Sequence, residues 1–311
     1  MRSLIREKLK SNESIVKFYY GVKSVYYKYL VSDEKLIRRK FKKRLGREVN
    51  LKNPVKYNDK LQWLKLNWYD PMATKCADKY EVREIVKERI GEQYLNELIA
   101  VYESVDEIDI DKLPDKFVLK GTHGSGFNII CKDKSKMNWD EEFKKMRRWL
   151  RTNYYLQNRE WVYKDQKPRI ICEKYLVGED GGLPKDYKFF CFDGIPKFMF
   201  LASDRGEETK FDFYDLDWNK IPVSQYYPNS NYQNPRPEKL NEMIELAKEL
   251  SEGFPHARVD FYVNNSNIIF GEITFFHFSG TKRFVPGKYD KIFGEYIDLS
   301  KIINKEYRSK K

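Results

Sequence analysis

Residues 257–276 read ARVDFYVNNSNIIFGEITFF, two apolar runs joined by a short turn around Asn264–Asn267. Val, Ile, Phe and Tyr crowd both runs, and the Asn/Ser cluster between them supplies turn chemistry, so the pattern predicts an antiparallel hairpin. Side chains two apart on a strand share a face. Arg258 and Asp260 therefore point one way, as do Glu272 and Thr274, and the hairpin can set Asp260 across from Glu272. Two carboxylates among apolar strand residues are costly to bury unless a hard cation or a cationic side chain neutralises them. One reading is an internal Arg–Asp–Glu cluster. The other, favoured because the pair is embedded in Val/Ile/Phe runs, is a metal site.

Upstream, FVLKGTHGSGFNII (117–130) delivers Lys120 at the end of a strand, opens a loop at Gly121, Gly124 and Gly126, and returns as a second strand from Asn128. Glycines let backbone N–H groups approach a polyanion, and a nearby ammonium neutralises phosphate charge. No Lys-Ser/Thr pair follows the glycines and the exit is a strand, which excludes a P-loop. A plain tight turn is the competing reading, and His123 either touches a phosphate or caps the loop. Between these stretches, PRIICEKYLVGEDGG (168–182) is a buried strand emerging into polar residues and then glycines. Such a strand end can offer backbone groups to a purine edge, with Glu179 or Asp180 placed for ribose hydroxyls. An ordinary strand end with surface charges is the alternative.

Around these segments helices are expected over 13–31, 57–69, 74–90, 140–151 and 237–251. Strands are expected over 116–120, 128–132, 169–173, 185–193, 196–202, 257–263 and 268–274. The order is α+β with mostly antiparallel ladders rather than a βαβ wind. Four cysteines stand far apart with no C-x-x-C pair, and only three histidines occur, so neither a disulfide framework nor a zinc site is expected and the compartment reads as a reducing cytoplasm. No apolar run is long enough for a membrane helix, and the basic start lacks the apolar stretch of a secretory signal. Net charge is +12, and residues 1–46 carry 14 Lys and Arg against 4 Asp and Glu. The rest is nearly balanced, which speaks against a nucleic-acid channel. The basic segment either packs on the body with its charges in water or docks peripherally on the anionic inner face of the cell membrane.

The order of a lysine strand with a Gly loop, an E-K-x-L hinge, an R-x-D strand and an E-x-T strand resembles the ATP-grasp superfamily. More narrowly, NDKLQWLKLNWYDP (58–71), TKCADKYEVREIVKERIGEQYL (74–95), FVLKGTHGSG (117–126) and FGEITFFHFSG (270–280) look like its TupA-like branch, associated with teichuronopeptide biosynthesis and bacterial surface polysaccharides. The likeness covers roughly residues 40–300. It implies an ATP-grasp fold of two α+β lobes clasping ATP, preceded by a helical N-terminal region. The expected division is a basic helical appendage (1–46), a helical lobe (47–112), a lid with the Gly-rich loop (113–176) and a metal-binding part (177–311).

By the same resemblance, Lys79 and Lys120 hold the ATP phosphates, and Thr122, His123, Gly124, Ser125 and Gly126 close over them. Glu173, Tyr175 and Leu176 meet adenine with Lys174 nearby, and Glu179 or Asp180 meets the ribose. Lys188 faces the active site. Asp260 and Glu272 hold Mg²⁺, with Thr274 standing where many relatives carry Asn. Arg258 stabilises an oxyanion. Ser279, Lys282 and Arg283 lie beside the metal strand, within reach of an anionic acceptor or simply in a solvated loop. The implied activity is a Mg-ATP-dependent carboxylate–amine ligase, passing through an acyl phosphate and releasing ADP and phosphate. Its partners would be a small-molecule or saccharide carboxylate and an amine donor. A glycosyltransferase of surface-polysaccharide synthesis and a non-catalytic nucleotide-binding adaptor are the competing classes.

Overall fold

The computed structural model describes residues 30–178, 181–205, 208–264 and 266–302. Most of the helix expected over 13–31 lies outside them. The chain enters through helix α1 (Asp33–Leu45), whose Ser32 side chain caps the Lys35 amide and whose Leu36, Ile37, Phe41 and Leu45 are buried. The basic segment is thus, over these residues, a helix packed on the body. Helix α2 (Tyr57–Asn67) follows, then α3 (Pro71–Ala77), with Pro71 at the start and Asp70 capping the Met72 amide at 2.9 Å. Helix α4 spans Val82–Arg89.

The sequence pattern predicts one helix over 74–90, and the structure has two. Asp78 accepts from the amides of Tyr80 (2.8 Å) and Glu81 (3.0 Å), a local turn that competes with the helical ladder. The Lys79 amide leaves the helix to bond the Thr122 carbonyl at 3.3 Å. The break therefore joins the helical region to the Gly-rich loop, and it is what places Lys79.

Strands β1 (Leu98–Tyr102), β2 (Phe117–Gly121), β3 (Asn128–Cys131) and β4 (Ile170–Lys174) form an antiparallel sheet in the order β1-β4-β2-β3. Strand β1 lies ahead of the first strand expected from the pattern. It is an edge strand, half-buried at every position, so it shows no alternation to read. Helix α5 (Trp139–Leu150) covers this sheet with Met146 and Trp149, the indole stacking on Phe127 at 5.4 Å. A short helix α6 (Tyr155–Asn158) leads back toward β4.

The second sheet holds β5 (Asp186–Phe192), β6 (Ile195–Ser203), β7 (Lys210–Tyr214), β8 (Ala257–Asn264) and β9 (Asn267–Thr274), antiparallel throughout in the order β7-β6-β5-β8-β9. Helix α7 (Leu240–Ser251) packs on one face, where the Cys191 thiol reaches the Ala247 carbonyl. Because strand side chains alternate, Asp186 and Lys188 point to the opposite face. Helix α8 (Lys288–Glu295) closes the aromatic core, with Phe293 stacked on Phe198 at 3.9 Å. This arrangement is α+β, two antiparallel sheets preceded by a helical region. No helix among the described residues is long and apolar enough to cross a membrane.

Candidate functional site

The expected hairpin is β8–β9, with Asp260 paired to Glu272 and Arg258 paired to Thr274. Strand β5 runs along the other side of β8 and sets Lys188 opposite Asp260. Lys188 bridges Asp186, at 2.6 Å, and Asp260. Arg258 reaches Asp260 through Nε (2.7 Å) and Nη2 (2.6 Å), and the same Nη2 reaches Glu272 Oε1 and Thr274 Oγ1, each at 3.0 Å. Behind it, Arg258 Nη1 donates to His277 Nδ1 at 2.7 Å, so His277 carries its proton on Nε2 and donates it to Gln225 Oε1 at 2.7 Å.

Electrostatics separate the carboxylates. Asp260 is fully buried, and burial pushes its carboxyl up to about 6 against the pull of Arg258 and Lys188. Burial would also raise Glu272, but Lys79, Arg258 and Lys188 outweigh it and bring it to about 2. Glu272 is therefore ionised at neutral pH. Asp186 Oδ1 is buried with no hydrogen-bond partner. Among the described residues no three His, Cys, Asp or Glu side chains gather closely enough to cage an ion alone. Mg²⁺ characteristically takes one or two carboxylates and completes its shell with phosphate oxygens and water. Glu272, with only Oε1 engaged by Arg258, fits that pattern.

Two cavities meet here. The smaller, about 290 Å³, is lined by Lys79, Lys120, Ser125, Gly126, Asp186 and Glu272, among others. The larger, about 580 Å³, is lined by Arg258, Thr274, Tyr154, Phe276 and the loop from Phe278 to Arg283. Ser125, Lys188, Phe211 and Glu272 line both.

Lys79, Lys120, Ser125, Gly126, Lys188 and Glu272 are thus brought together, with Asp260 directly beneath Lys188. Lys79 bonds the Gly124 carbonyl at 2.6 Å, and burial lowers its pKa. Lys120 pairs with Glu173 at 2.6 Å, and Arg83 reaches the same carboxylate. Thr274 lines the larger cavity, bonded to Arg258. Thr122 and His123 line neither cavity: both are buried, and His123 Nε2 sits 2.8 Å from the Trp149 carbonyl. Lys174 pairs with Glu97 in solvent. Tyr175 and Leu176 are half-buried past the end of β4 and line neither cavity. Glu179 and Asp180 lie outside the described residues.

A family model described as TupA-like ATPgrasp matches residues 59–298, most of the chain. The protein belongs to the TupA-like ATP-grasp family. Solved structures similar to this TupA-like chain include D-alanine–D-alanine ligase from Bacillus anthracis complexed with ATP. That match has 16% identity and TM-score 0.38, over 66% of this chain and 55% of that one. The ADP complex of purK, N5-carboxyaminoimidazole ribonucleotide synthetase, is 14% identical with TM-score 0.42, over 70% and 50% of the two chains. The ATP-grasp ligase PsnB, complexed with minimal precursor, Mg and ADP, is 12% identical with TM-score 0.34, over 86% and 64%. The TupA-like chain spans between half and two thirds of the length of these proteins. No curated protein matches it.

Several cavity or sub-cavity residues of this ATP-grasp protein stand outside the set expected from the sequence, and four of them are charged groups close to the chemistry. Asp186 was readable, being two residues before Lys188 on one strand. Arg44 lines the larger cavity from α1, bonding Asn158 (3.2 Å) and Thr281 (3.0 Å). Glu160 lines it too, joined to the Ser279 hydroxyl, and Lys65 lies beneath with its Nζ 2.9 Å from the Ser279 carbonyl. No local pattern marks these three, since long-range packing alone brings them in.

Proposed function

We propose that this protein is a Mg-ATP-dependent carboxylate–amine ligase that modifies a bacterial cell-surface polysaccharide (capsule, teichuronic acid or O-antigen) or its precursor. The observation that carries the reading is the shared wall. A lysine-lined cavity of triphosphate character opens beside a larger one that is aromatic and cationic, with Lys188 and Glu272 facing both. Lys79, Lys120 and Lys188 neutralise the phosphates on one side. The acceptor carboxylate enters from the other side and its oxygen attacks the γ-phosphorus in line. The bond from that phosphorus to the β,γ-bridging oxygen breaks, leaving ADP and an acyl phosphate. An amine then attacks the acyl carbon, the carbon–oxygen bond to phosphate breaks, and the nitrogen gives up a proton. Arg258 stabilises the oxyanion formed on the way.

Glu272 would hold Mg²⁺, with Asp260 joining it only once Arg258 and Lys188 release its oxygens, and the ion would supply charge neutralisation at the bound phosphates. The family supports the polysaccharide assignment, and the cationic character of the larger cavity agrees with an acidic saccharide. In cellular terms this is a cytoplasmic reaction, with residues 1–46 as the segment to test for peripheral membrane contact. We place the lobe boundary near residue 176, between the two sheets.

The test is ADP release over a panel of uronic acids and amines. Lys120→Ala should weaken nucleotide binding at least 10-fold, and Glu272→Ala should abolish turnover while leaving the melting temperature near wild type. A Glu272→Ala enzyme with full Mg-ATP-dependent turnover, or release of a nucleoside diphosphate from a nucleotide sugar instead of ADP from ATP, would overturn the reading.

A further inference from the structure

The larger cavity carries more positive charge than one carboxylate requires. Arg44, Lys188, Arg258, Lys282 and Arg283 line it against two carboxylates, Glu160 and Glu272. Glu160 is buried and already engaged by Ser279, with Lys65 below it. The cations fall into two sets. Lys188 lines both cavities, and Lys188 and Arg258 are ion-paired to Asp186, Asp260 and Glu272. Arg44, Lys282 and Arg283 line only the larger cavity, and among the described residues none of them forms an ion pair.

Their anchoring is specific. Arg44 is held by Thr281 and Asn158, Arg283 donates to the Leu45 carbonyl at 2.7 Å, and the Lys282 ammonium lies over the Tyr226 ring at 3.7 Å. Arg44 and the Arg283 anchor both come from the end of α1, so this helix supplies one wall. The facing loop is strained: Phe278 and Ser279 hold φ of 45° and 58°, a left-handed backbone that non-glycine residues rarely adopt and that concentrates at ligand sites. Like charges gathered around a recess repel one another until an anion enters.

We infer that the acceptor carries a second anionic group, remote from its reacting carboxylate, and that Arg44 of α1 binds it with Lys282 and Arg283. This rests on the ligase reading: the first carboxylate sits at Lys188 and Arg258, and the second anion sits at the α1 wall. A glycosyl phosphate and the carboxylate of a neighbouring uronate share this chemistry. Arg44 becomes a specificity-determining residue contributed by the helical N-terminal region.

The experiment uses the full chain saturated with Mg²⁺ and a non-hydrolysable ATP analogue, titrated with D-glucuronic acid, its 1-phosphate and a diglucuronate. One of the two ligands that carry a second anionic group should bind at least 10-fold tighter than glucuronic acid, and which one does so identifies the source of the anion. Arg44→Ala should bring that gain to within about 3-fold, and Arg44→Lys should restore part of it, while affinity for the ATP analogue stays at the wild-type value. A chain that binds the analogue but shows no gain for either of these ligands, or keeps the gain in Arg44→Ala, overturns the inference alone. A chain with no affinity for the analogue overturns the ligase reading, and this inference falls with it.

Discussion

His277 is buried between an arginine and a glutamine, and its two ring nitrogens do different work. Burial first, and then the Arg258 charge, hold it well below the usual imidazole range, so it stays neutral and can accept from Arg258. Replacing it with Phe removes that acceptor and leaves a buried guanidinium N–H unpaired, a loss of about 1–3 kcal/mol. His277→Phe should therefore lower both the melting temperature and kcat. Unchanged values for both would mean that the carboxylates alone orient Arg258. Lys65 offers a second residue-level test. It is 5% exposed, and burial brings its ammonium down to about 8, with Glu160 opposing and Arg44 and Lys40 adding to the shift. Between about pH 8 and 10.5 the unfolded chain binds the proton that the folded chain has released, so wild-type stability rises with pH across that window. Relative to Lys65→Met, which has no proton to lose, wild type should gain about 3 kcal/mol from the bottom of that window to its top. A stability difference that stays flat in paired urea titrations would show Lys65 titrating normally.

At the level of elements, what joins the loop after β9 to α2 is a close backbone approach. A Cβ on Gly280 would meet Leu61 Cβ at 2.9 Å and the Asn58 carbonyl at 3.2 Å, and the residue already holds φ of 59°. Gly280→Ala should thus destabilise the protein by at least about 2 kcal/mol, since φ strain and steric conflict act together. It should also raise the acceptor KM more than the ATP KM, because the loop lines the larger cavity. Chemical denaturation and steady-state kinetics read both, and a neutral Gly280→Ala would show that loop and helix can separate without consequence. Of the elements themselves, the strands of the second sheet were legible because Val, Ile and Phe alternate or run continuously there. The half-buried edge strand β1 was not, nor was the break at Asp78. That break depends on the Thr122 carbonyl, some forty residues away along the chain, taking the Lys79 amide.

For the whole molecule, the site lies between the two sheets, so a ligand that bridges them should stabilise the protein globally. Binding linkage gives about 2.7 kcal/mol at a ligand concentration 100 times Kd. Mg²⁺ with a non-hydrolysable ATP analogue should therefore raise the melting temperature by several degrees in wild type and much less in Lys120→Ala. An equal shift in both would mean that the nucleotide binds elsewhere. The sequence by itself determined the face shared by Arg258 and Asp260, the face shared by Glu272 and Thr274, the Lys120 strand with its Gly loop, and the family to which the chain belongs. These rest on the two-residue period of a strand and on the order of motifs, both local or linear properties of the chain. Only the tertiary structure decided that Arg44, Glu160 and Lys65 gather around the larger cavity and that His123 turns into the core of the first sheet. Such positions are set by packing between segments far apart along the chain, which no single stretch of residues encodes.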